Sequence, residues 1–128
     1  MGVRRYEDLD AWKAADELKR EVYALTETGP ASKDFEFRNQ IRDSAASATK
    51  NIAEGFGRFR PADFARFMDF SISSTMETQD SLKEGIDRKH FTFERAQRAR
   101  DLADRSLQVS KGLKRYLRSC RNKKLPFI

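Results

Sequence analysis

Apolar residues recur at steps of three and four along four stretches of this chain, and that spacing is the strongest constraint on its fold. Leu9, Ala11, Trp12, Ala15, Leu18, Val22 and Leu25 form the first stripe, which Gly29-Pro30 ends. Phe37, Ile41, Ala45, Ala48, Ile52 and Phe56 form the second. The third is Phe64, Phe67, Met68, Ile72, Met76, Leu82 and Ile86, interrupted at Gln79; the fourth is Ala99, Leu102, Val109, Leu113 and Leu117, with Ala103 and Leu107 off its line. A period near 3.6 puts each set on one side of a helix. No segment has the twofold alternation or β-branched enrichment of a strand. Pro61 suits the first turn of the third helix and Asp63 its positive end, while Thr92 caps the fourth with Glu94 behind it. Gly85 weakens the end of the third helix, which is expected to stop near Lys89. Each stripe must be buried against another element, and the connections, such as "GPASKD", are short. The pattern predicts an all-α fold, an antiparallel up-down-up-down four-helix bundle, as one domain over residues 1–128.

With 128 residues the chain can bury one core. Its one cysteine, Cys120, excludes an internal disulfide framework. The opening "MGVRRYEDLD" has no apolar leader, and no apolar run is long enough to cross a bilayer, so a cytoplasmic protein with no membrane partner is expected. The net charge of +6 is unevenly spread. Residues 1–87 carry 13 basic and 17 acidic side chains, a net of −4; residues 88–128 carry 13 and 3, a net of +10. A cationic last third favours polyanions through counterion release.

The second and third helices have small residues at their centres, "DSAASAT" (43–49) and "SISST" (71–75). Small side chains let helix axes approach closely. The turn between them, "GFGRFRP", follows no strand and has no Gly-Lys-Ser/Thr ending, so it reads as a helix–helix turn and not as a phosphate loop. Gly55 or Gly57 is expected to release the chain with a positive φ, and Phe56 and Phe59 to cover the open end of the bundle. Folding this hairpin about Phe59-Arg60 sets side by side residues whose numbers total about 119. On that register Arg42 is expected to pair with Glu77, and Glu54 lies opposite Ala65 and Arg66. Asn51, Glu54 and Arg58, with Arg42 and Glu77, are the candidate polar network, serving as caps, inter-helix hydrogen bonds or a subunit contact, with a ligand pocket at Asn51 and Glu54 the alternative.

The stretches "YEDLDAWKAADELKREVYALT", "QIRDSAASATKNIAEGFGR" and "DFARFMDFSISSTMETQDSL" resemble the small proteins encoded in intervening sequences of bacterial large-subunit ribosomal RNA genes. The tract "NIAEG" followed by Arg58 is the most specific part, and the likeness covers roughly residues 6–87, with a looser fit through the last helix. The family's usual proline shortly before the asparagine is absent here, where Ala48 and Thr49 stand instead, so a straighter second helix is expected. The resemblance implies a closed antiparallel four-helix bundle and a homo-oligomeric ring, with five subunits, a pentamer, the favoured number. It implies no enzymatic role.

The side chains offer no catalytic constellation. His90 is the lone histidine and is read as a loop surface residue; Cys120 has no histidine near it and is read as a helix cysteine. No Glu-x-x-His spacing is present for a metal, and no catalytic residue, metal or cofactor is expected. The functional lead is the last helix. At about 100° per residue Arg100, Lys111, Lys114, Arg115 and Arg118 share one sector, and Arg121 extends it. Leu107 projects into this sector, a hint that part of the face is covered. These residues are the candidate nucleic-acid-binding set, with structured RNA the leading partner. The alternative is an oligomeric protein–protein adaptor with no direct nucleic-acid contact, its basic stripe facing acidic residues of a partner or of another subunit.

Overall fold

The computed structural model describes residues 3–120, all helix and connection with no strand among them. A short 3-10 turn (Tyr6–Asp8) leads into α1 (Asp10–Leu25); α2 (Gly29–Lys33) follows, then α3 (Phe35–Phe56), α4 (Pro61–Asp87) and α5 (Phe93–Cys120). Four of these are long, consistent with a bundle. α3 runs unbroken from Phe35 to Phe56. The expected "GPASKD" loop is instead mostly the short α2: α1 stops at Leu25, and Gly29 (φ 70°) reverses the chain ahead of Pro30.

Each helix end has a local cause. Asp34 caps α3 by accepting the Phe37 N–H at 3.2 Å, and Thr92 caps α5 by accepting the Arg95 N–H at 3.0 Å. Pro61 sits in the first turn of α4. At the far end of α4, His90 N–H reaches Gly85 O at 2.8 Å and Lys89 N–H reaches Ile86 O at 3.0 Å, a Schellman closure with Lys89 left-handed at φ 62°. Neither Gly55 nor Gly57 has a positive φ, against expectation; Gly57 stays near helical at φ −74°. Gly55 is required for space. A Cβ there would lie 2.6 Å from Phe64 Cδ1 and 2.9 Å from Phe67 Cβ, so its bare backbone lets α4 begin hard against α3. Phe56 meets Phe64 edge-on at 6.3 Å, but Phe59 is 82% exposed and covers nothing.

The core is in two parts. One gathers Leu18, Val22, Leu25, Phe37, Ile41, Leu82 and Phe91; the other gathers Leu9, Ile52, Phe64, Met68, Leu117 and Cys120. Between them lie the small hydroxylated residues of α3 and α4. Ser44 and Thr78 share a hydrogen bond of 2.8 Å, Ser47 and Ser74 one of 2.9 Å, and Ser71 Oγ donates to Ala48 O at 2.9 Å. The numbers of these pairs total 119 to 122, rising on one helix as they fall on the other, close to the register expected. Buried hydroxyls bonded in this way stabilise modestly and penalise any slip that would leave them unpaired.

Two stripes needed revision. Met76 is 54% exposed and lies outside the core. Ala103, expected off the line, is fully buried, and the buried seam of α5 includes Ala96, Ala99, Ala103, Ser106, Ser110 and Leu117. Leu113 and Val109 only flank it. Two serines at successive seam positions, Ser106 and Ser110, hid this repeat from a hydrophobicity reading.

Candidate nucleic-acid interface

α4 and α5 meet along a groove whose two ends differ in charge. Gln79 Nε2 donates to Asp104 Oδ1 at 3.0 Å near one end, and Lys114 pairs with Asp69 near the other. Both pairs have numbers totalling 183, so one register runs along the groove. At the Asp69 end a recess of about 320 Å³ is lined by Ile72, Lys111, Lys114, Arg115 and Arg118. The structure thus brings four of the candidate nucleic-acid residues together. Lys111, Arg115 and Arg118 are exposed, while Lys114 is half-buried. Asp69, which the sequence reading did not single out, pairs with Lys114 and with Arg118 at 3.4 Å. It balances part of this charge and holds two flexible side chains in place. The same arithmetic that aligned α3 with α4 would have found it, had α4 been aligned with α5. Arg100 lies apart. Its guanidinium rests 4.5 Å from the centre of the Phe93 ring, at the other end of the groove. Arg121 lies outside the described residues.

The polar network expected around α3 is divided. Arg42 does not meet Glu77; it turns to the end of α1. Its Nε donates to Thr26 Oγ1 at 2.8 Å, its Nη2 to Tyr23 O at 3.3 Å, and it pairs with Glu27 at 3.5 Å. The physical reason is the early stop of α1 at Leu25, which leaves terminal carbonyls that attract a cationic donor. Glu77 remains on the exposed side of α4. Asn51 Nδ2 donates to Ser47 O at 2.9 Å and to Ser47 Oγ at 3.1 Å, which joins it through Ser74 to α4. Glu54 pairs with Arg58 at 2.9 Å one turn on, and the Arg58 guanidinium covers the Phe67 ring at 4.7 Å. Asn51 and Glu54 therefore do not converge on a shared pocket.

His90 corrects its reading as a surface residue. Its side chain is 13% exposed, its ring meets Phe37 edge-on at 4.8 Å, and its Nε2 shares a hydrogen bond of 2.9 Å with Asp34 Oδ2. Arg88 reaches the same oxygen at 3.1 Å. The Asp34 carboxyl is held below the usual aspartate range, first by the Phe37 N–H and then by His90. Cys120 is buried. Among the described residues no group of three or more His, Cys, Asp or Glu could hold a metal ion, and no helix is long and apolar enough to cross a membrane.

The family model described as "23S rRNA-intervening sequence protein" matches residues 7–115, from the 3-10 turn to the basic end of α5. The chain belongs to that family. The match takes in much of the cationic last helix of this intervening-sequence family protein, where the likeness noted from the sequence was looser. A crystal structure of a protein with unknown function from the S23 ribosomal protein family of Bacteroides thetaiotaomicron is similar to it, with a TM-score of 0.60 and 20% identity over 85% of this chain and 95% of that one. At that identity the likeness is one of fold. No curated protein matches the chain by sequence.

Proposed function

We propose that this intervening-sequence family protein acts without catalysis, as one copy of an oligomeric, antiparallel up-down-up-down bundle that binds structured RNA or another nucleic acid along α5. The observation that carries this reading is the gathering of Lys111, Lys114, Arg115 and Arg118 about one recess, with Asp69 paired to two of them. Such a cluster binds phosphates with little regard for sequence. A homo-oligomer, with five copies favoured, would repeat it and multiply weak contacts. The reversed order of the paired residues in both the α3–α4 and α4–α5 contacts supports the up-down arrangement.

The test is fluorescence anisotropy with a labelled ribosomal RNA fragment. Four phosphate contacts predict that affinity falls by about a hundredfold between 50 and 200 mM salt. Lys111→Glu with Arg115→Glu should abolish binding while leaving the helical circular dichroism intact. An RNA that fails to bind at low salt would remove the reading.

A second reading is an oligomeric protein adaptor, favoured by exposed Phe70 (44%) and Met76 (54%) on α4. In that case a stoichiometric partner protein survives nuclease treatment of a pull-down, and light scattering on the isolated chain counts the copies.

A further inference from the structure

The opposite end of the α4–α5 groove has different chemistry from the cationic recess. It forms a cavity of about 410 Å³ with Leu82 and Ile86 among its lining residues and Phe93, half exposed, beside it. Its charges are balanced. Lys83 is paired with Asp87 at 2.7 Å, and Arg100 shares the lining with Asp104. A phosphate would find no net attraction there. A neutral, flat group with hydrogen-bonding edges would fit. Phe93 and the guanidinium of Arg100, 4.5 Å from the ring centre, supply planar surfaces. Gln79 and Gln97 each use one amide N–H within the protein, at 3.0 Å to Asp104 and 2.9 Å to Asp101. A carboxamide has a second N–H and an oxygen, which leaves capacity to bond a ligand edge.

This cavity shares a helix face with the cations. Phe93, Arg100, Leu107, Lys111, Lys114 and Arg118 follow at steps of seven, seven, four, three and four, which keeps them within one sector of α5. Arg100 and Lys114 are about 21 Å apart along the axis at 1.5 Å per residue. That is about six stacked nucleotides at 3.4 Å each.

We infer that the cavity beside Phe93 takes an unpaired nucleobase of an RNA whose phosphates lie on Lys111, Lys114, Arg115 and Arg118. The inference rests on the proposed nucleic-acid reading and narrows it: the preferred ligand has a single-stranded segment or a splayed base and is not a continuous duplex. Unpaired bases are commonly recognised by stacking on aromatic rings and arginine planes.

Two labelled 12-nucleotide strands of equal charge test it by anisotropy at low salt: oligo(A), and its abasic ribose-phosphate counterpart. Oligo(A) should bind about tenfold more tightly, within the range that stacking one base supplies. Phe93→Leu should bring oligo(A) down to the affinity of the abasic strand, and Phe93→Trp should restore the gap. Equal binding of the two strands by the unaltered protein, or equal losses for both in Phe93→Leu, would overturn the base pocket and leave phosphate binding standing. Binding of neither strand overturns the base pocket, and the nucleic-acid reading falls with it if the ribosomal RNA fragment also fails to bind at low salt.

Discussion

Glycine acts in opposite ways at two positions in this chain. Gly55 has aromatic atoms of α4 so close that an added methyl must displace them, whereas a Cβ at Gly112, in the middle of α5, would meet nothing within 4 Å. Gly55→Ala should therefore destabilise the fold by about 1–3 kcal/mol through overpacking. Gly112→Ala should stabilise it by about 1 kcal/mol, because alanine loses less backbone freedom in a helix. Urea denaturation midpoints check both signs; equal shifts would show that helix propensity alone governs the two sites. The sequence reading found Gly55 for the wrong reason. "EGFG" looks like a left-handed exit, but the chain leaves α3 through near-helical angles, and the demand on Gly55 comes from Phe64 and Phe67, which no local pattern reveals.

At the scale of helices, the connections are tied through their caps. Asp34 closes the start of α3 and also receives His90 and Arg88 from the α4–α5 connection. Its carboxyl titrates below the unfolded value, so the stabilisation it supplies is complete above the ordinary aspartate pKa of about 3.9. That stabilisation is lost as the pH falls through the lower folded value. The stability gap between the unaltered protein and Asp34→Asn should close as the pH is lowered from about 5 to about 2. Urea midpoints across that range measure it, and a gap that stays constant would assign the acid sensitivity to other groups. Thr92 was legible as a cap because its bond is local, made to an N–H three residues on. Arg42 was not, because its partner depended on where α1 stopped: one hairpin's register predicted Glu77, while free carbonyls on a third helix drew the guanidinium away.

Across the whole molecule, charge is segregated along α5 and partly balanced by α4. Asp69 holds Lys114 and Arg118, so it competes with any phosphate that approaches them. Asp69→Asn should tighten RNA binding several-fold. It should also steepen the dependence of log affinity on log salt by about one phosphate contact, read from anisotropy titrations at several salt concentrations. An unchanged slope would place the bound phosphates away from this recess. The expected stripe from Arg100 to Arg118 has two different surroundings along one face: Phe93 and Asp104 lie about Arg100, while Asp69 pairs with Lys114 and Arg118 further on.

The four long helices and their approximate ends were readable from the residues alone, while the short α2 was not. Apolar period, proline and capping chemistry act over a few positions, and the first two long helices bury the side their pattern marks, whereas Met76 of α4 and the seam of α5 depart from it. The α3–α4 register was readable too, since a short turn leaves two facing helices little freedom to slide. Contacts between elements distant in the chain were not. The serine-lined seam of α5, the cap that Arg42 provides for α1, the burial of His90 and the neutral cavity beside Phe93 arise only when several helices pack together. Their energies depend on which surfaces meet and on the bonds and charges left over when they do.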